Sequence, residues 1–197
     1  MFTGIVTAVG VVREICPAGG DIRILVATDI LQAAPAREGD SVAVSGVCLT
    51  MLQPGDQGFA ADVSAETLGV TTLGSARAGH KLNLELAMSL ADRLGGHLVT
   101  GHVDGIACLL KRESDGRAQR FDFEAPEALA RYIARKGSVC IDGVSLTVNS
   151  VAGRAFSVCL IPHTLEATTL GSLAPGDQVN IEVDLIARYL EQLGSYR

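Results

Sequence analysis

A chain of 197 residues, 48% hydrophobic and 19% charged, is apolar enough to bury a core, which excludes a disordered protein. A net charge of −6 without a long Lys/Arg run excludes a partner that must be held by its phosphates, so no nucleic acid is expected. No apolar stretch reaches spanning length, and Met1-Phe2-Thr3-Gly4 opens without a basic region or signal-peptide core; a soluble, cytoplasmic protein with no membrane contact is predicted.

In chain order, a first helical segment falls near Asp29–Arg37, where Pro35 predicts a short or broken helix. Val42-Ala43-Val44 and Val47-Cys48-Leu49-Thr50-Met51 read as strands joined at Ser45-Gly46. Lys81–Leu86 alternates with period two, as a half-buried strand does. Pro126–Arg135 opens on Pro and Glu and closes on basic residues before Gly137, the polarity of a helix with a glycine stop. Val139-Cys140-Ile141 and Val144–Val148 flank Asp142-Gly143, a strong hairpin signal because both turn residues tolerate positive φ. Gln178–Val183 alternates again. A final helix over Leu185–Leu193 carries Leu185, Ile186, Tyr189, Leu190 and Leu193 on one stripe, for its own domain or for a neighbouring subunit.

These elements recur. A constant, gap-free shift of 97 residues turns Thr3-Gly4-x-Val6 into Thr100-Gly101-x-Val103, and Ser41–Thr50 into Ser138–Thr147. Thr67–Ser75 returns as Thr164–Ser172, and Asn83 and Glu85 return as Asn180 and Glu182. The period is far longer than a solenoid repeat, so each copy is a small domain. Short strands joined by turns make each copy a small antiparallel barrel, with units at 1–97 and 98–184 and the terminal helix at 185–197.

Matched positions carry the candidate chemistry. Cys48 and Thr50 lie two apart and share a strand face, as do Ser145 and Thr147; the competing role is satisfying backbone groups at a strand end. No base lies near Cys48 in sequence, so spacing does not support it as a nucleophile. The five cysteines form no C-x-x-C pair, which speaks against zinc and a disulfide framework; most are read as buried thiols in a reducing compartment. His97 and His102 are five apart, on opposite sides of an extended segment, and cannot easily share a metal. A hydrogen-bonded structural role is the plain reading of each. Ile5 becomes His102, Gly39 becomes Lys136, Ser45 becomes Asp142 and Ala87 becomes Asp184, so two similar surfaces have acquired different electrostatics.

Met1–Val6, Gly46–Thr50, Gly95–Gly105, Lys136-Gly137-Ser138, Asp142–Thr147 and Leu160–Leu165, in this order, closely resemble the riboflavin synthases of the duplicated lumazine-binding type. The resemblance runs from Met1 to the terminal helix. It implies an all-β fold of two tandem six-stranded antiparallel Greek-key barrels plus a C-terminal α-helix that helps build a homotrimer. The implied reaction is a transfer of four carbons between two molecules of 6,7-dimethyl-8-ribityllumazine, giving riboflavin and 5-amino-6-(ribitylamino)uracil, without cofactor or metal. Association with lumazine synthase is a further possibility.

By motif, the implied substrate contacts in the first copy are Gly4, Ile5, Val6, Ser41, Cys48, Leu49, Thr50, Asp62, Val63, Ser64, Ala65, Glu66 and Thr67. In the second they are Gly101, His102, Val103, Lys136, Ser145, Leu146, Thr147, Leu160, Ile161, Pro162, His163, Thr164 and Leu165. Cys48, His102, Ser145 and Asp184 are the implied catalytic set. Ser45 stands where the family often has Asn, and Thr100 where Ser is common. Non-catalytic lumazine and flavin carriers share this fold and are the alternative, although Lys136, Asp142, Ser145 and Asp184 favour the enzyme.

Overall fold

The computed structural model describes residues 1–33 and 36–196. The first copy runs β1 (Ala8–Ala18), β2 (Asp21–Ala27), α1 (Ile30–Ala33), β3 (Ser41–Val44), β4 (Val47–Thr50), β5 (Leu52–Gly55), β6 (Gly58–Val63), α2 (Ala65–Val70) and β7 (Lys81–Leu86). The second runs β8 (Gly105–Asp115), β9 (Ala118–Glu124), α3 (Glu127–Ala130), β10 (Ser138–Ile141), β11 (Val144–Ala152), β12 (Ala155–Leu160), α4 (Pro162–Ala167) and β13 (Gln178–Val183). The shift seen in sequence is kept by the bounds of these elements, with β11 replacing β4 and β5 together. Helix α5 (Leu185–Gly194) closes the chain.

The second copy closes into a six-stranded antiparallel barrel in the order β10-β11-β12-β9-β8-β13, a Greek key because the β9-to-β10 connection passes over β11 and β12. The first copy differs from the expected six strands. Its sheet runs β4-β3-β7-β1-β2-β6-β5, so its two edges are consecutive pieces of one run broken at Met51. The cause is local: Gln53 has φ +47° and Pro54 lacks an N–H, where the second copy has Ser150 and Val151 inside an unbroken strand.

Both hairpin turns have the positive-φ pair of a type I′ turn, Ser45 at +45° with Gly46 at +82°, and Asp142 at +45° with Gly143 at +79°. Each barrel has its own core. Ile24, Val26, Phe59 and Leu84 fill the first; Phe121, Phe123, Phe156 and Ile181 fill the second. Phe2, Ala43, Val99 and Cys140 form a third cluster between the barrels. Phe2 is fully buried there, which contributes about 1.5–3 kcal/mol.

Three expectations change. The helix expected over Pro126–Arg135 ends at Ala130, after which Tyr132 and Ile133 donate their N–H groups three residues back, to Leu129 and Ala130, as Leu129 and Ile133 turn into the core. Its counterpart α1 has the same length; Pro35 lies outside the described residues. The five cysteines are free thiols, and among them Cys140 is buried while Cys16, Cys48, Cys108 and Cys159 are half-buried. The terminal helix forms as expected, with Asp184 capping it through the Ile186 N–H.

Candidate active site

Strand alternation sends Val47 and Leu49 into the first core and leaves Cys48 and Thr50 on the outer face; Val144 is buried while Ser145 and Thr147 take the matching outer positions. Above each face lies an arm that precedes the first strand of a copy. Glu85 pins the N-terminal arm, accepting from the Thr3 N–H and hydroxyl at 2.7 Å each and from the Gly4 N–H at 3.0 Å. Glu182 pins the second arm in the same way through Thr100 and Gly101. Burial pushes the Glu85 carboxyl up, and these donors act against that push.

The arms cross between copies. The Ser145 N–H donates to the Gly4 carbonyl at 2.7 Å, and the Cys48 N–H donates to the Gly101 carbonyl at 2.8 Å. Val6 packs against the second core and Val103 against the first. The contact is tight: a Cβ on Gly4 falls 2.6 Å from the Ser145 Cβ, and one on Gly101 falls 2.6 Å from the Cys48 Cβ. Both glycines also hold positive φ, +74° and +81°. Gly4-Ile5-Val6 therefore belongs beside Ser145, and Gly101-His102-Val103 beside Cys48, an exchange of the grouping expected from sequence.

The two faces are not equal. His97 Nδ1 lies 2.7 Å from Ser145 Oγ, whereas among the described residues the Cys48 thiol makes no side-chain hydrogen bond. Burial lowers the His97 pKa, against the pull of the Asp184 and Glu182 carboxylates.

Residues 3–87 and 100–184 each match the lumazine binding domain. Riboflavin synthase of Brucella abortus is 45% identical over 100% of both chains. The chain belongs to the riboflavin synthase family. Riboflavin synthase of Photobacterium phosphoreum is 43% identical over 98% of this chain and 88% of its own. The solved structure of LumP complexed with riboflavin has a TM-score of 0.84 at 25% identity, covering 93% of this chain and 99% of that one. As a riboflavin synthase family member the chain is an enzyme, and none of its described helices is long and apolar enough to cross a membrane.

In this riboflavin synthase fold the remaining candidate residues divide. Leu49, Val63 and Leu160 put their side chains into the cores, leaving only backbone for a ligand. Ser41 pairs with Thr50 across β3 and β4. Asp62 forms a bidentate pair with Arg23 at 2.7 and 2.8 Å. Ser64 caps α2 through the Thr67 N–H, and Ala65 and Glu66 lie on that helix. Pro162, His163, Thr164 and Leu165 lie on α4, after the exposed Ile161, and Leu146 packs on the second core. Lys136 is exposed at φ +67°, with its N–H on the Val148 carbonyl.

His102 is exposed, and its carbonyl accepts from Arg188 of α5 at 3.1 Å. Arg188 also pairs with the mostly buried Asp104 at 2.6 Å. A cleft of about 1280 Å³ gathers Thr3, Ile5, Ser41, Glu85 and Ala87, but neither Cys48 nor Ser145 lines it. Sequence reasoning missed His97 as the partner of Ser145 and Arg188 as the tie to His102; these pairs are 48 and 86 residues apart, and no local pattern links them.

Proposed function

We propose that this enzyme transfers a four-carbon unit between two molecules of 6,7-dimethyl-8-ribityllumazine, giving riboflavin and 5-amino-6-(ribitylamino)uracil. One observation carries the reading: two equivalent faces, each closed by the other copy's arm, present Cys48 and Thr50 on one side and Ser145 and Thr147 on the other. A reaction between two identical molecules needs two similar surfaces with different reactive groups. Here the different groups are Cys48 against the Ser145, His97 and Asp184 cluster.

Backbone groups of the arms and of Asp62–Thr67 and Leu160–Leu165 hold the ring edges, and hydroxyls of Ser41, Thr50 and Thr147 meet the ribityl chain. Holding two rings in reacting register removes much of the entropic barrier. The donor's 7-methyl anion is delocalised over its ring, so a modest base near Ser145 suffices, and His102 and Asp184 assist proton movement.

Residues 1–97 and 98–184 serve as the two lumazine-binding units, and the complete site joins the first unit of one subunit to the second of another. Residues 185–197 assemble the homotrimer: Ile186, Tyr189, Leu190 and Leu193 are 62% to 66% exposed and belong to none of the hydrophobic clusters among the described residues. Free thiols on all five cysteines fit a reducing cytoplasm. The test is incubation of the purified protein with the lumazine alone while riboflavin absorbance is followed. Steady flavin formation is expected; binding without new flavin makes the protein a carrier.

A further inference from the structure

We propose that Arg135 and Lys136 form an anion subsite at the end of the second copy's face, which takes a ribityl flavin carrying a terminal phosphate. The subsite rests on the lumazine reading above, in which Thr50 and Thr147 meet the ribityl chain. Each face ends at a short loop, and the two loops are built alike. The Gly39 N–H donates to the Met51 carbonyl at 2.9 Å, and the Met51 N–H donates to the Asp40 carbonyl at 2.8 Å. The Lys136 N–H donates to the Val148 carbonyl at 2.8 Å, and the Val148 N–H donates to the Gly137 carbonyl at 3.0 Å. Met51 follows Thr50 and Val148 follows Thr147, so each loop is bonded to the residue beside a ribityl-facing hydroxyl.

On this common frame the charges are opposite. Arg37-Glu38-Gly39-Asp40 carries a net −1, and the matched Ala134-Arg135-Lys136-Gly137 carries +2. Arg135 and Lys136 are exposed, and among the described residues neither has a carboxylate partner. Lys136 also holds φ +67°, in the left-handed region that Gly39 fills freely at φ +95°. The loop's backbone bonds make no use of the lysine side chain, so a strained residue stands here with its ammonium free for a ligand. A terminal phosphate carries about −1.5 to −2 charges near neutral pH and offers oxygens to both cations. Glu38 and Asp40 repel the same group from the first face. The two faces therefore sort ribityl ligands by the charge at the chain's end. Neutral lumazine and riboflavin enter both, and the phosphorylated flavin enters only the second, where it competes with one of the two lumazines.

Quenching of flavin fluorescence by the full chain compares riboflavin 5′-phosphate with riboflavin, at low salt and at about 0.3 M salt. Wild type is expected to bind the phosphate form about ten-fold tighter at low salt, at one site per chain, with the gain shrinking as salt screens it. Inorganic phosphate alone is expected not to displace riboflavin. Arg135→Glu with Lys136→Gly gives the second loop the residues of the first and is expected to abolish the preference. The readout is the ratio of the two affinities, because Lys136 also stands beside the bound neutral ligand. Arg135→Gln alone is expected to lower that ratio about three-fold. Arg117→Gln removes an exposed charge from the turn between β8 and β9 and is expected to leave the ratio unchanged. A wild-type ratio near one, a preference that survives the double variant, an equal loss in Arg117→Gln, two phosphate-preferring sites per chain, or displacement by inorganic phosphate each overturn the subsite. A wild type that binds no riboflavin overturns the lumazine reading instead.

Discussion

Asn83 and Asn180 hold the two barrels together by making the same bonds in opposite directions. Asn83 Nδ2 donates to the Asp142 carbonyl at 2.8 Å while its Oδ1 accepts from the Thr169 N–H at 2.8 Å. Asn180 Nδ2 donates to the Ser45 carbonyl at 2.9 Å while its Oδ1 accepts from the Thr72 N–H at 2.8 Å. Each asparagine, buried on the last strand of its own barrel, thus ties down the hairpin and the short helical turn of the other. The hairpin tips meet, with a Cβ on Gly46 falling 2.7 Å from the Gly143 nitrogen.

Replacing either asparagine by alanine leaves a buried carbonyl and an N–H unpaired at once. Urea unfolding is expected to report a loss of about 2–4 kcal/mol for each variant. A change below about 0.5 kcal/mol sets these bonds aside as stabilising elements.

Asp142 supplies a pH dependence. Buried between the barrels, it accepts one bond from the Asn180 N–H, and burial pushes its pKa from 3.8 up to about 7. Folding therefore favours the protonated acid. The unfolded chain binds fewer protons between these values, so stability contributed here is present at low pH and declines as pH rises from about 4 to about 7. Asp142→Asn removes the ionisation at nearly constant shape. Its melting temperature is expected to match wild type near pH 4 and exceed it at pH 8; an equal difference at both pH values contradicts the assignment.

Gly101→Ala tests the crossing of the arms. The new methyl meets the Cys48 Cβ at 2.6 Å and its nitrogen at 2.9 Å, with φ at +81°. The arm must lift, breaking the Cys48 N–H bond to the Gly101 carbonyl. A loss of more than about 2 kcal/mol is expected, with faster amide exchange at Cys48. Unchanged exchange at Cys48 contradicts the contact.

Helix α5 is tied to its own barrel by polar contacts: Arg188 to Asp104 at 2.6 Å, Arg131 to Glu191 at 3.0 Å, and Tyr132 to Glu191. Its apolar stripe stays outward. Leu190→Glu with Leu193→Glu is expected to lower the mass seen by light scattering without changing the far-ultraviolet circular dichroism. An unchanged mass removes the helix from assembly.

Arg188→Ala tests the link between this helix and His102. Loss of the partly exposed ion pair is expected to cost about 1 kcal/mol, and release of the His102 carbonyl to lower kcat more than thermal stability. Equal activity with reduced stability makes Arg188 purely structural.

The strands, the hairpins and the terminal helix were legible in sequence because alternation and turn chemistry act over a few residues: Val47 and Leu49 in, Cys48 and Thr50 out. Pro126–Arg135 misled because its helical polarity is also local, whereas the burial of Leu129 and Ile133 that bends the segment comes from the barrel beneath. The 97-residue shift likewise determined that two related faces exist, and where Ser145 departs from Cys48. Tertiary structure alone decided which arm covers which face, where the first barrel's sheet breaks, and that His97 meets Ser145. Those outcomes depend on close packing of Val6, Val103 and Gly4 against residues far along the chain. A repeat is silent on them, because an arm folded on its own barrel and one folded on its twin bury the same side chains.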